Sequence, residues 1–158
     1  MKPIYLTKEG IQKLELELKE IKEVKRPLII QRVAHARGMG DLNENAEYHA
    51  AKDELVRLER KIFKLESTLS QVRVVDKKDI QTDQVRLLTR VIVQNETRGV
   101  EKEYILVSPE EADHNQGKIS IHSPVGKGLL GRQAGDQVEV ETPSGVMKLT
   151  IKAILPPL

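Results

Sequence analysis

The chain has 158 residues, 26 basic and 24 acidic, for a formal net charge of +2. That balance excludes nucleic-acid binding by bulk charge, so any such role rests on local patterning. The absence of cysteine excludes disulfides, thiolate zinc sites and cysteine nucleophiles. A charged fraction of 32% beside only one Phe and three Tyr fits a helical element that buries one stripe and leaves the rest in water.

The N-terminal MKPIYLTKEG has no apolar h-region, and no run of about 18 apolar residues follows. The expectation is a soluble, cytoplasmic protein without a membrane partner. Residues 8 to 37 read as helix, with Thr7 as N-cap and Ile11, Leu14, Leu18, Ile21 and Leu28 at three- and four-residue steps. Lys25 sits where the stripe would continue. Pro27 predicts a kink, because it removes a donor and clashes with the preceding turn. A break there is the other reading; the kink is preferred because Leu28, Val33 and Ala36 resume a helical face.

The second helix carries Ala51, Leu55, Leu58, Ile62, Leu65, Leu69 and Val72 in alternating steps of four and three, the seam of a coiled coil. Two such seams joined by RGMGDLN predict an antiparallel helical hairpin. About 30 residues at 1.5 Å each make an arm of roughly 45 Å. From about residue 84 the period falls to two. VRLLTRVIV, EKEYILV, KISIH, DQVEVE and VMKLTI are β-rich runs separated by turn signals, with TPSG as a hairpin turn. The organisation expected is α+β: a coiled-coil hairpin over 1–75, a linker over 76–84, and a small antiparallel β domain over 85–158.

The turn of the hairpin, GMGDLNENAEYHAAKDE, holds Asp41, Glu44 and Glu47 with no Lys or Arg among them. Asp at a helix start with Glu three residues later is close to a capping box, and acids there also suit the helix dipole. Alternatively, Asp41 and Glu44 point off the end of the arm toward a metal. DLNENA imitates the start of an EF-hand loop, but Ala46 stands where Gly is needed and Lys52 where the bidentate Glu should be. Two carboxylates are too few for an all-protein cage, whereas Mg²⁺ commonly takes one or two and fills its octahedron from elsewhere. A Mg²⁺ bound here would need a second molecule to complete its shell.

Arg32, Arg37, Lys52, Arg57, Arg60, Lys61 and Lys64 flank the turn. They make either a solvated coiled-coil face, with Glu54, Glu59 and Glu66 interleaved, or a basic flank for RNA phosphates. Tyr48 either packs in the turn or stacks on a base, and packing is preferred. GKGLLG (126–131) matches G-x-G-x-x-G, but RQAGDQVEVE leads straight into a β-hairpin, so neither a dinucleotide fold nor a P-loop is read there. His35, His49, His114 and His122 show no ligand spacing.

GDLNENAEYHAAKDE resembles the signature of bacterial Gre transcript-cleavage factors, which read GDL-x-ENAEY-x-AAK/R. LTKEGIQKLELEL, the RP at 26 and 27, and ISIHSPVGKGLLGRQAGDQVEVETPSG resemble the same family, from about residue 5 to residue 152. SPVGKGLLG departs from it, where Ala and Arg often follow Ser-Pro, and so does YILVSPEEAD, where IVG is common. The tip motif is nearer the GreA type, while ELVRLERKIFKLE has GreB character, and the sequence leaves the type open.

The resemblance implies a β domain similar in fold to FK506-binding proteins, without isomerase activity. That domain would dock on bacterial RNA polymerase, with Ser123 and Pro124 in the docking segment, while the hairpin enters the secondary channel. Asp41 and Glu44 match the family's tip acids, taken to help hold a Mg²⁺ shared with the polymerase active centre. Arg37 and Lys52 are implied as contacts to the nascent RNA 3′ end. The chain would then be no enzyme itself but a monomer that stimulates the polymerase's own RNA cleavage. Two other readings are a channel-binding inhibitor of transcription and a structural coiled-coil adaptor.

Overall fold

The computed structural model describes residues 3–40 and 45–158. The chain divides into two compact units, Met1–Ile4 with Ile11–Val72, and Tyr5–Gly10 with Arg73–Leu158. Strand β1 (Ile4–Leu6) pairs with β2 (Val72–Val74). Among the described residues, no helix is long and apolar enough to cross a membrane.

In the helical unit, α1 (Lys8–Glu20) runs into a π-helical turn over Ile21–Lys25 and then into α2 (Arg26–Arg37). The Arg26 N–H donates to the carbonyl of Ile21, five residues back. Pro27 explains the turn. A proline inside an α-helix collides with the carbonyl four residues earlier and leaves it unpaired, and a wider turn just before the ring eases both problems. The backbone at Glu20, Lys25 and Arg26 stays right-handed helical, so the helix does not break at Pro27.

The additional residue in that turn resets the buried face. Plain α-helical spacing from Leu14, Leu18 and Ile21 leads to Lys25 and Leu28. Instead Ile29 and Ala36 are buried and Val33 is half-buried, while Leu28 is 56% exposed and Lys25 is exposed. The expected seam is therefore corrected at Leu28, and its later members, Val33 and Ala36, hold. Across from it, α3 (Ala46–Ser70) buries Tyr48, Ala51 and Ile62 and half-buries Leu55, Leu58, Leu65 and Leu69. At about 1.5 Å per residue α3 is roughly 37 Å long. A pair of helices has a single mutual face, which is why most seam leucines stay half-buried.

Ion pairs run along the hairpin's edges. They are Glu17–Lys61 (3.1 Å), Lys22–Glu66 (3.0 Å), Arg26–Glu59 (3.5 Å) and Arg32–Glu54. From Lys22 through Arg26 to Arg32 the partner number falls, so the helices are antiparallel. Exposed pairs of this kind add little stability each and act mainly on register.

In the other unit, five strands lie in the order β5-β4-β3-β7-β6. They are β3 (Arg90–Asn95), β4 (Val100–Val107), β5 (Lys118–Ser120), β6 (Gln137–Thr142) and β7 (Gly145–Leu155). Every expected β-run contributes a strand. The sheet is mixed, however, because β5 pairs parallel to β4 while the other ladders are antiparallel. The cause is the connection: residues 108–117 pass through two 3-10 turns, long enough to carry the chain back to the same end of the sheet. Val91, Val93, Leu106, Val138, Val140, Leu149 and Ile151 form the core with Val85 and with Leu129 of α4 (Pro124–Leu129). The GKGLLG glycines serve this packing. A Cβ on Gly126 would strike the Ser120 carbonyl, and one on Gly128 would press on Val138 and Val140. That is helix-to-sheet approach, not a phosphate cradle.

Thr7 is the N-cap of α1, its Oγ1 accepting from the Gly10 N–H at 3.0 Å. Gly10 stands where a capping box would place Glu. Glu111 fills that role from the first 3-10 turn, accepting from the Thr7 N–H (3.2 Å) and hydroxyl (2.5 Å).

The π-turn register is tested by two alanine substitutions on neighbouring residues. Ile29→Ala should cost roughly 2–5 kcal/mol in urea unfolding and Leu28→Ala less than about 0.5 kcal/mol. The reverse ranking would show that Leu28 faces α3.

Candidate functional site

The end of the hairpin is built from the last turn of α2 and the first turn of α3. Beyond Arg37 the chain turns at once, with the Gly38 N–H donating to His35 (3.2 Å) and the Met39 N–H to Ala36 (3.1 Å). Asp41 and Glu44 lie outside the described residues. Helix α3 starts at Ala46, and its N-cap is Asn45, in extended conformation. The capping box read around Asp41 is thereby corrected: an amide, four residues beyond Asp41 and one beyond Glu44, caps this helix. Glu47 sits in the first turn of α3, where a carboxylate suits the helix dipole.

The Asn45 side chain makes two bonds. Its Oδ1 accepts from the Tyr48 N–H at 3.0 Å, the expected cap. Its Nδ2 donates to the Ala36 carbonyl at 2.5 Å, on the other helix. Sequence reasoning passed over Asn45; the available signal was an Asn directly before a helix-forming run.

Tyr48 is 7% exposed, so of the two uses expected for it, the structure shows packing. Its ring lies 5.7 Å from the Arg37 guanidinium and 5.8 Å from the Lys52 ammonium, within cation–π range of both. His49 meets the ring edge-on at 5.5 Å. Hydrogen bonding by Arg37 draws the Tyr48 phenol below its ordinary pKa, opposed by burial and helped by the positive charges of Lys52 and Arg37. The fold thus brings Arg37 and Lys52, from different helices, to one ring. Both are exposed. In the flank expected from sequence, Arg32 is taken by Glu54 and Lys61 by Glu17. Arg37 and Lys52 contact this ring and make no ion pair among the described residues.

In the β unit, Ser123 is the N-cap of α4. Its hydroxyl donates to the Ser120 carbonyl (2.6 Å) and accepts from the Gly126 N–H (3.1 Å). Pro124 follows in the first turn of α4 and is exposed. Among the described residues, no three His, Asp or Glu cluster closely enough to hold a metal ion. Asp41 and Glu44, outside the described residues, are hard oxygen donors of the chemical kind that Mg²⁺ takes.

Residues 4–74 match the family model described as "Transcription elongation factor, N-terminal", and residues 80–156 match "Transcription elongation factor, GreA/GreB, C-term". The chain is 46% identical over 147 residues to transcription elongation factor GreA of Chloroherpeton thalassium, covering 93% of each. It is 46% identical over 153 residues to GreA of Thermoanaerobacter pseudethanolicus, covering 97% of this chain and 98% of the relative. Among solved structures it is similar to GreA factor homolog 1 (Gfh1) of Thermus thermophilus, at 28% identity and a TM-score of 0.47. That match covers 97% of this chain and 99% of the other.

The Tyr48 cluster makes a pH prediction. Its phenol is more acidic folded than unfolded, so this linkage adds stability only at alkaline pH, above about 10, and loses it as pH falls through the folded value. In an alkaline titration read by phenolate absorbance, the difference between wild type and Tyr48→Phe should ionise below the ordinary tyrosine range. Arg37→Ala should move that step upward; an unmoved step would mean that Arg37 does not act on the ring.

Proposed function

The chain belongs to the GreA/GreB family of transcription elongation factors, and we propose that it acts on bacterial RNA polymerase by placing its helical hairpin in the secondary channel. There it stimulates the polymerase's own Mg²⁺-dependent cleavage of backtracked nascent RNA, so that elongation resumes. The observation that carries this reading is the pair Asp41 and Glu44, set between α2 and α3 in a chain whose helix cap is a different residue, Asn45.

Each part of the chain then has a task. Asp41 and Glu44 offer carboxylate oxygens to a metal whose other ligands belong to the polymerase and the RNA. When bound, Mg²⁺ supplies a water of lowered pKa and neutralises charge on the cleaved phosphate. Arg37 and Lys52, exposed beside Tyr48, contact phosphates near the RNA 3′ end. The segment of Ser123 and Pro124 docks on the polymerase, with Pro124 as its outward surface and Ser123 holding α4 in shape. The factor works as a cytoplasmic monomer and is not itself a nuclease, because two carboxylates do not hold a catalytic metal alone.

A backtracked elongation complex of the cognate polymerase tests this directly. With Mg²⁺ and wild-type factor it should release short 3′ RNA fragments. Asp41→Ala/Glu44→Ala should cut that release about 100-fold, a loss of roughly 3 kcal/mol of charge stabilisation. The factor concentration that half-occupies the polymerase should stay unchanged. No fragments with wild type, or equal release with the double variant, would defeat the proposal; occupancy without cleavage would make the chain a channel-binding inhibitor.

A further inference from the structure

Along the arm, one outward face of α3 carries apolar side chains that the hairpin does not use. Phe63, the only phenylalanine in the chain, is 76% exposed, and Val56, two turns before it, is 45% exposed. With Lys52, Leu55, Glu59 and Arg60 they line a shallow groove of about 490 Å³. All six residues belong to α3, so the groove is an open helix face. Single exposed apolar residues are ordinary, but an aromatic and a valine on one helical stripe mark a surface that gains by being covered.

The charges around Val56 point to what covers it. Lys52 and Glu59 are seven residues apart, as are Asp53 and Arg60, so each pair shares one edge of the face across two turns. The signs invert between those turns, Lys-Asp before Val56 and Glu-Arg after it. When two antiparallel helices are related by a two-fold axis, each edge runs beside its own copy, and residues equally far before and after the axis come level. An axis at Val56 therefore sets Lys52 beside Glu59 of the second copy on one edge and Asp53 beside its Arg60 on the other, each contact made twice. Val56 meets its own copy in the middle, and Phe63 meets His49 of the second copy. Among the described residues Lys52, Asp53 and Arg60 make no ion pair, and Glu59, which holds Arg26 at 3.5 Å, keeps acceptor sites for a second cation. Two carboxylates on this face oppose a phosphate backbone there, whereas a second copy answers every charge. We propose that this face of α3 is a self-association surface, on which a second copy of the chain lays its own α3 antiparallel about Val56. The contact is isologous and closes at two copies. It stands apart from the proposed function; its bearing there is that it covers Lys52, so the single chain is the form free to act.

Sedimentation equilibrium of the full chain at low salt tests the pairing. Three layers of one helix make a small, transient contact, so wild type should pass from the mass of one chain to that of two between about 5 μM and about 1 mM. Asp53→Arg and Arg60→Asp should each weaken the pairing about 10-fold, because each sets like charges together at both contacts of one edge. Mixed in equal amounts, the two variants should pair as tightly as wild type, since opposite charges then meet again. Phe63→Ala should also weaken the pairing about 10-fold. A wild-type chain that keeps the mass of one copy throughout would overturn the proposal. Single variants that pair as well as wild type would overturn it too, by moving the contact to another face. So would a chain that stays single while a short single-stranded RNA shifts the Phe63 ring resonances, which would give the face to nucleic acid.

Discussion

The packing of α2 against α3 depends on one additional residue in the turn over Ile21–Lys25. Without it, Leu28 would meet α3, and Ile29 and Ala36 would rotate toward solvent. With it, Ile29, Val33 and Ala36 face the seam, and Ala36 is held where its carbonyl meets Asn45. Pro27 thus acts at a distance. The ring that forbids a regular α-turn selects the face that α2 buries nine residues later, at Ala36.

Charge is divided between holding the hairpin and serving its end. Along the arm, Glu54, Glu59 and Glu66 pair with Arg32, Arg26 and Lys22. At the end, the cap is given to a neutral amide, and the two cations sit on the face of Tyr48 and make no ion pair among the described residues. A cation over an aromatic ring keeps its charge for a phosphate, whereas one locked to a carboxylate does not.

Much of this was legible in the sequence. The seam of α3 follows an unbroken three-four spacing, and a single buried stripe is all that a helical hairpin requires. The β-runs are set by alternation, and Thr7 caps α1 as its place before the helix suggests. What escaped was non-local. Leu28 was misplaced because a π-turn is invisible to a pattern that assumes a constant period. Strand β5 lies parallel because alternation encodes which face is buried, not which way the chain runs. Asn45 finds its second partner nine residues back, and Glu111 completes a cap 104 residues away. The role given to Asp41 and Glu44 came from the family motif, since residue spacing alone left a capping box open.

The central claim is that the hairpin carries metal ligands to the polymerase and does not merely occupy it. The most direct measurement is the Mg²⁺ dependence of RNA release from a stalled complex, at saturating wild-type factor and at saturating Asp41→Asn/Glu44→Gln. These substitutions keep side-chain size and remove the anionic ligands. The account predicts that wild type lowers the Mg²⁺ concentration needed for half-maximal release, while the variant leaves it at the value for polymerase alone. The same shift with both proteins would contradict it.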